Sequence, residues 1–166
     1  VKEVVLLGQN VNSYHDGETS FPALLDKIAK TTGIERLGFL TSHPKDLTME
    51  LLDVVRDNAN IMKNIHLPLQ SGNDRILGLM NRKYTSEDYL KKIEIIKTIP
   101  GIVISTDIIV GFPGETEAEF EDTLGVLEKV RFHEAFTYYY NTRPGTKAAE
   151  MKDDLTIPMK KKRLAR

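Results

Sequence analysis

No cysteine occurs among the 166 residues, which excludes disulfides, thiolate zinc sites and thiolate-held clusters built from this chain. No apolar run approaches the roughly 18–20 residues a membrane span needs, so the chain reads as soluble, with no membrane partner. The start, Val1-Lys2-Glu3, has neither the pattern of a signal peptide nor an initiating Met, and it reads as the beginning of a fragment. Charge of one sign is also missing. With 23 basic and 24 acidic residues the net charge is −1, so the chain has no overall field to attract nucleic acid. Its one basic cluster, Lys160-Lys161-Lys162-Arg163, reads as a solvated helix face or linker in preference to an RNA contact.

Several motifs are absent too. The four histidines show no HxH or HExxH spacing, so they form no evident metal set. There is no Gly-x-Ser-x-Gly elbow, GxGxxG or Walker loop, which argues against a serine hydrolase, a dinucleotide fold and a P-loop enzyme.

What is present is an alternation of short β-rich runs and amphipathic stretches. Strands are expected at Val4–Leu7, Arg36–Thr41, Asn64–Gln70, Ile102–Val110 and Ala135–Tyr140. Helices are expected around Phe21–Ile28 with Gly33 as its stop, around Leu47–Val55, and around Ile76–Met80. Thr85 with Asp88 and Thr116 with Glu119 each have the spacing of a capping box opening a further helix. A last charged helix is expected from Met159. Strands separated by helices need crossover connections, which implies an α/β fold with a parallel sheet and outer helices. Residues 1–150 are expected to form it, and residues 151–166 a charged helix or linker toward a further domain.

In such folds the chemistry lies beyond the C-terminal strand ends. All five ends are polar: Gln9-Asn10-Val11-Asn12, Thr41-Ser42-His43-Pro44, Gln70-Ser71-Gly72-Asn73, Gly111 to Thr116, and Asn141 to Thr146. Glu115 apart, they carry amides, hydroxyls and glycines in place of Lys and Glu, which suits a polar organic ligand. Gly111-Phe112-Pro113-Gly114-Glu115-Thr116 runs into a helix start, although Glu115 there would repel an anion. Asp107, inside an apolar strand, must face a polar cavity or a charged partner, because a lone buried carboxylate is costly.

The strings Leu6 to Tyr14, Thr41 to Asp46, His66 to Gly72, Met80 to Thr85, Asp107 to Thr116 and Arg143 to Thr146 resemble the radical S-adenosylmethionine (SAM) tRNA methylthiotransferase family. Within it the chain is most similar to the MiaB branch, which adds a methylthio group to C2 of N6-isopentenyladenosine next to the tRNA anticodon. The resemblance implies a partial TIM-like barrel lacking its first strand, with SAM across the strand ends. It puts Gln9, Asn10 and Asn12 at the methionine amino group, and Ser42, Gln70 and Ser71 on the ribose and methionine side. Ile109 and Gly111 would meet the adenine, and the stretch before Arg143 would border the same pocket. The family's CxxxCxxC loop, which holds a 4Fe–4S cluster in the parent protein, has no counterpart here, so the fragment is expected to be inactive. A cysteine-free barrel binding a nucleotide or RNA is the alternative. Removal of the first strand would leave Val4–Leu7 as an exposed edge, and the fragment is expected to self-associate through that edge or through the open barrel mouth.

Overall fold

The computed structural model describes every residue except Thr32, Thr41 and Ser42. Along the chain the elements are β1 (Glu3–Leu6), α1 (Phe21–Ala29), β2 (Arg36–Phe39), α2 (Met49–Asp57), β3 (Asn64–His66), α3 (Asp74–Leu79), α4 (Ser86–Ile96), β4 (Val103–Val110), α5 (Glu117–Val130), β5 (Glu134–Tyr139) and α6 (Ile157–Leu164). The helix starts follow from their caps. Ser20, Thr48, Asn73 and Thr156 each accept a backbone N–H of the first turn, and Pro22 and Pro158 sit where a missing N–H costs nothing. Both expected capping boxes form. Thr85 and Asp88 exchange hydrogen bonds of 3.1 Å, and Thr116 and Glu119 do the same ahead of α5.

The chain divides into two compact units. The first comprises residues 1–68 and 91–105. In it β1 pairs parallel with β2, Glu3 opposite Arg36 and Leu6 opposite Phe39, and β3 pairs parallel with the first half of β4. Leu25, Leu37, Leu51, Val55, Ile65 and Ile96 are fully buried, and Phe21 meets Phe39 edge-on at 5.4 Å.

The second unit comprises residues 69–90 and 106–166. Here β5 lies beside β4, with the Tyr140 N–H donating to the Val110 carbonyl at 2.8 Å. Its core includes Leu69, Ile76, Leu77, Tyr89, Ile108 and Phe120.

Three expectations need correction. The strand placed over Asn64–Gln70 stops at His66, because Pro68 has no N–H to donate and Gln70 turns into the left-handed region at φ 70°. Helix α1 ends at Ala29, capped by Lys30, well before Gly33, whose φ of +90° serves the following turn instead. The basic cluster on α6 is solvated only in part: Lys161 and Lys162 are exposed, whereas Lys160 and Arg163 are buried. Lys160 gains its partner in Asp153 at 2.5 Å, and Arg163 in Glu115.

Candidate functional site

Four of the expected ligand residues belong to the first unit. Gln9 is exposed. Asn10 and Asn12 point their amides at the loop after β2. Both Oδ1 atoms accept the His43 N–H, at 3.1 and 3.0 Å, while Asn12 Nδ2 returns to the His43 carbonyl and Asn10 Nδ2 reaches Asp46 at 2.5 Å. The two asparagines therefore fix the shape of this rim, and Gln9 is the side chain left facing outward. Ser42 lies outside the described residues.

The other six belong to the second unit, where Gln70 is the most informative. Its N–H donates to the Asp107 carbonyl and its carbonyl accepts from Ile109, at 2.8 and 2.9 Å, so β4 holds it on both sides. Tyr84 pins the residue before it by donating to the Leu69 carbonyl at 3.0 Å, and burial pushes that phenol up to about 12. Gln70 nevertheless sits at a positive φ, which costs a non-glycine residue about 1–2 kcal/mol. Its side chain is 7% exposed and its Oε1 has no hydrogen-bond partner. A strained backbone joined to an orphaned buried acceptor marks a position held for something other than stability.

Gln70 lines a cavity of about 1090 Å³ within the second unit, together with Asp107, Ile109 and Arg143. Four of the six expected residues of this unit are thus brought together. The same wall holds Tyr140, whose buried hydroxyl is the second orphaned polar atom and whose ring meets Phe112 at 5.1 Å. Ser71 and Gly111 are not on this wall. Ser71 is fully buried, 3.4 Å from the Thr123 hydroxyl, and Gly72 donates to that same hydroxyl at 2.9 Å. A Cβ on Gly72 would lie 2.6 Å from Thr123 Cα, so this glycine is required for the turn to dock on α5.

Gly111 has a similar cause. Its φ is +70°, and a Cβ there would lie 2.6 Å from Lys160 Cγ on α6. Its N–H donates to Glu115 Oε2 at 2.7 Å. Glu115 is 3% exposed and accepts from Arg163 at 2.7 Å, so it does not face an incoming anion as its sequence position suggests. Burial pushes its carboxyl up, and the Gly111 N–H and the Arg163 guanidinium oppose that.

The sequence reading missed Arg82, Lys147 and the aromatic row Tyr138-Tyr139-Tyr140, all of which line the cavity. Three successive tyrosines just ahead of a strand end were the available signal. Among the described residues no group of three or more His, Asp or Glu could hold a metal ion, and no helix is long and apolar enough to cross a membrane.

A parallel α/β chain with polar residues at its strand ends has the layout in which such folds place a ligand site. The chain belongs to the radical SAM superfamily, whose family model matches residues 1–127. It is 54% identical over 99% of its length to the tRNA-2-methylthio-N(6)-dimethylallyladenosine synthase of Acetivibrio thermocellus. Over its whole length it is 55% identical to the protein of that name from Caldicellulosiruptor saccharolyticus. It spans 35% and 36% of those two proteins. Coproporphyrinogen III oxidase of Escherichia coli, a radical SAM enzyme, superposes on 99% of the chain with a TM-score of 0.75 at 18% identity, the chain covering 38% of it. A radical SAM methyltransferase from Kitasatospora setae matches 78% of the chain with a TM-score of 0.62 at 15% identity, and 26% of that protein is covered. The fold class expected from the sequence is the one these structures share.

Proposed function

We propose that this chain is the SAM-binding interior of a tRNA methylthiotransferase. The parent adds a methylthio group to C2 of N6-isopentenyladenosine beside the anticodon and works in the cytoplasm. One observation carries the ligand part of this reading: Gln70, Asp107, Ile109 and Arg143 line one cavity, and Gln70 offers it a buried acceptor with no partner. A donor group on the ligand, such as an amino group or a hydroxyl, satisfies that acceptor. Ile109 and Phe112 supply apolar surface against an adenine, and the exposed Arg143 suits a carboxylate.

When bound, SAM supplies the radical chemistry of the family through its reductive cleavage. The donor set for the cluster that drives this does not fit, since the chain has no thiolate to offer. Its own residues bind and orient the ligand. Near-50% identity to synthases acting on tRNA supports RNA as the parent's substrate.

Calorimetric titration of the chain with S-adenosylhomocysteine tests the reading. Saturable binding is expected, weakened about 5- to 150-fold by Gln70→Leu, since a ligand donor left buried without its acceptor costs about 1–3 kcal/mol. Equal affinity in the two proteins removes Gln70 from the ligand site.

A further inference from the structure

The cavity of the second unit carries a charge opposite to that of the chain. The whole sequence has a net charge of −1, yet the cavity's ionisable lining is Arg82, Arg143 and Lys147 against Asp107 alone. Elsewhere most of the arginines are paired with carboxylates. Of the eight arginines, Arg36, Arg56, Arg75, Arg163 and Arg166 are ion-paired. The three with no carboxylate partner among the described residues are Arg82, Arg131 and Arg143, and two of these line this cavity.

Local structure holds these cations where they are. Asn81 takes the left-handed conformation (φ 59°) at the end of α3, and the Arg82 N–H closes the helix by donating to the Leu77 carbonyl at 2.9 Å. In the Arg143-Pro144-Gly145-Thr146 turn, the Thr146 hydroxyl and N–H both donate to the Arg143 carbonyl, at 2.8 and 3.3 Å, and Lys147 follows directly. Tyr138, 55% exposed, adds an open aromatic face to the same wall. Unpaired cations beside an exposed aromatic ring are the two elements by which proteins hold single-stranded nucleic acid. The volume also leaves room: about 1090 Å³ lies just above the range of roughly 300–1,000 Å³ for pockets that enclose one small ligand.

We propose that Arg82 and Lys147 bind phosphates of a single-stranded RNA segment at this cavity, with Tyr138 stacking on a base. The inference rests on the reading that the parent acts on tRNA, and it adds the residues that grip the RNA. Arg143 is left to the carboxylate of the smaller ligand.

Fluorescence anisotropy with a labelled single-stranded RNA oligonucleotide, titrated with the 166-residue chain over a range of salt, tests it. The double variant Arg82→Gln/Lys147→Gln is expected to bind RNA at least 10-fold more weakly at low salt. Its slope of log K against log salt is expected to fall by about 1.4, from two phosphate contacts at about 0.7 each. Arg82→Lys/Lys147→Arg keeps the charge and the slope. Arg131→Gln removes an unpaired arginine away from the cavity and leaves RNA binding unchanged. S-adenosylhomocysteine affinity, read in parallel, stays within twofold in the double variant. Unchanged RNA binding in the double variant overturns the proposal, as does a wild-type chain that binds no RNA. Loss of S-adenosylhomocysteine in place of RNA also overturns it, because the cations then serve the small ligand. A chain that binds RNA through these residues but no S-adenosylhomocysteine sustains the inference and removes the ligand reading instead.

Discussion

Arg163 Nη1 lies 2.7 Å from Glu115 Oε2, and the two side chains are 6% and 1% exposed. The pair joins α6 to the turn after β4, and Glu115 in turn caps the Gly111 N–H. Removing one charge leaves the other buried without a counter-ion, which costs about 3–5 kcal/mol. Arg163→Met is therefore expected to lower stability by about that much in urea titrations, whereas Arg163→Met with Glu115→Gln costs clearly less. Equal losses in the two variants would show that the charge on Glu115 has no part in the cost.

The Arg75–Glu119 pair links the start of α3 to α5 and has a defined pH signature. Hydrogen bonds from Arg75, assisted by the Thr116 N–H and hydroxyl, hold the Glu119 carboxyl down at about 2, below its ordinary 4.5. A carboxylate with a lowered folded-state value contributes stability above its ordinary value, and that stability is lost as pH falls toward the folded one. Wild type is expected to exceed Arg75→Gln in stability at pH 5–7, with the gap closing between about pH 4.5 and 2. Glu115, pushed the other way by burial, contributes with the opposite sign: its share is full below the ordinary range and declines as pH rises through the raised value. A gap that stays constant down to pH 2 would exclude Arg75 as the cause.

Most elements were legible because their signals are local. The spacings Thr85/Asp88 and Thr116/Glu119 need no tertiary partner to act as helix starts, and both form. The end of β3 was not legible, because the turn at Gln70 depends on hydrogen bonds to Asp107 and Ile109, some 40 residues along the chain. The same holds for Lys160 and Arg163. In sequence they belong to a basic run, and only the packing of α6 against Gly111 and Glu115 separates them from the solvated Lys161 and Lys162. Of the residues lining the cavity, the family strings pointed to Gln70, Ile109 and Arg143, and Asp107 stood out as a carboxylate inside an apolar strand. Arg82 was inside one of those strings and went unremarked, since nothing in the sequence shows that it lacks a carboxylate partner.

Gly111 reads from the sequence as a point of close ligand approach, but its Cβ position is taken by Lys160. Gly111→Ala is expected to cost about 1–3 kcal/mol through overpacking and the positive φ. Because Lys160 is the obstacle, the cost should shrink to the conformational part, about 1 kcal/mol, in a Lys160→Ala background. A double-mutant cycle with coupling of about 0.5 kcal/mol or more supports this contact, and strict additivity argues that Lys160 moves aside freely.

Asp107 is half-buried on the cavity wall. On the proposed ligand reading, Asp107→Asn is expected to change stability by no more than about 1 kcal/mol, while S-adenosylhomocysteine affinity falls. A loss of about 3–5 kcal/mol with affinity intact would instead identify it as half of a structural ion pair.

Strand β1 is hydrogen-bonded on one side only among the described residues, to β2, and its sequence alternates half-buried Val4 and Leu6 with exposed Val5 and Leu7. Val5 is 36% and Leu7 73% exposed. The edge therefore presents unpaired N–H and C=O groups flanked by apolar side chains, with no proline and no charge between Val4 and Leu7. Such an edge is a template for strand addition, and a second copy of the chain offers the same surface, so the two can pair edge to edge. Concentration-dependent dimerisation is expected in sedimentation velocity. Val5→Lys should suppress it without lowering the melting temperature, because the side chain is exposed and an edge lysine blocks pairing while leaving the β1–β2 ladder intact. A wild-type chain that stays monomeric at high concentration, or a Val5→Lys variant that still dimerises, rules out this edge as the interface.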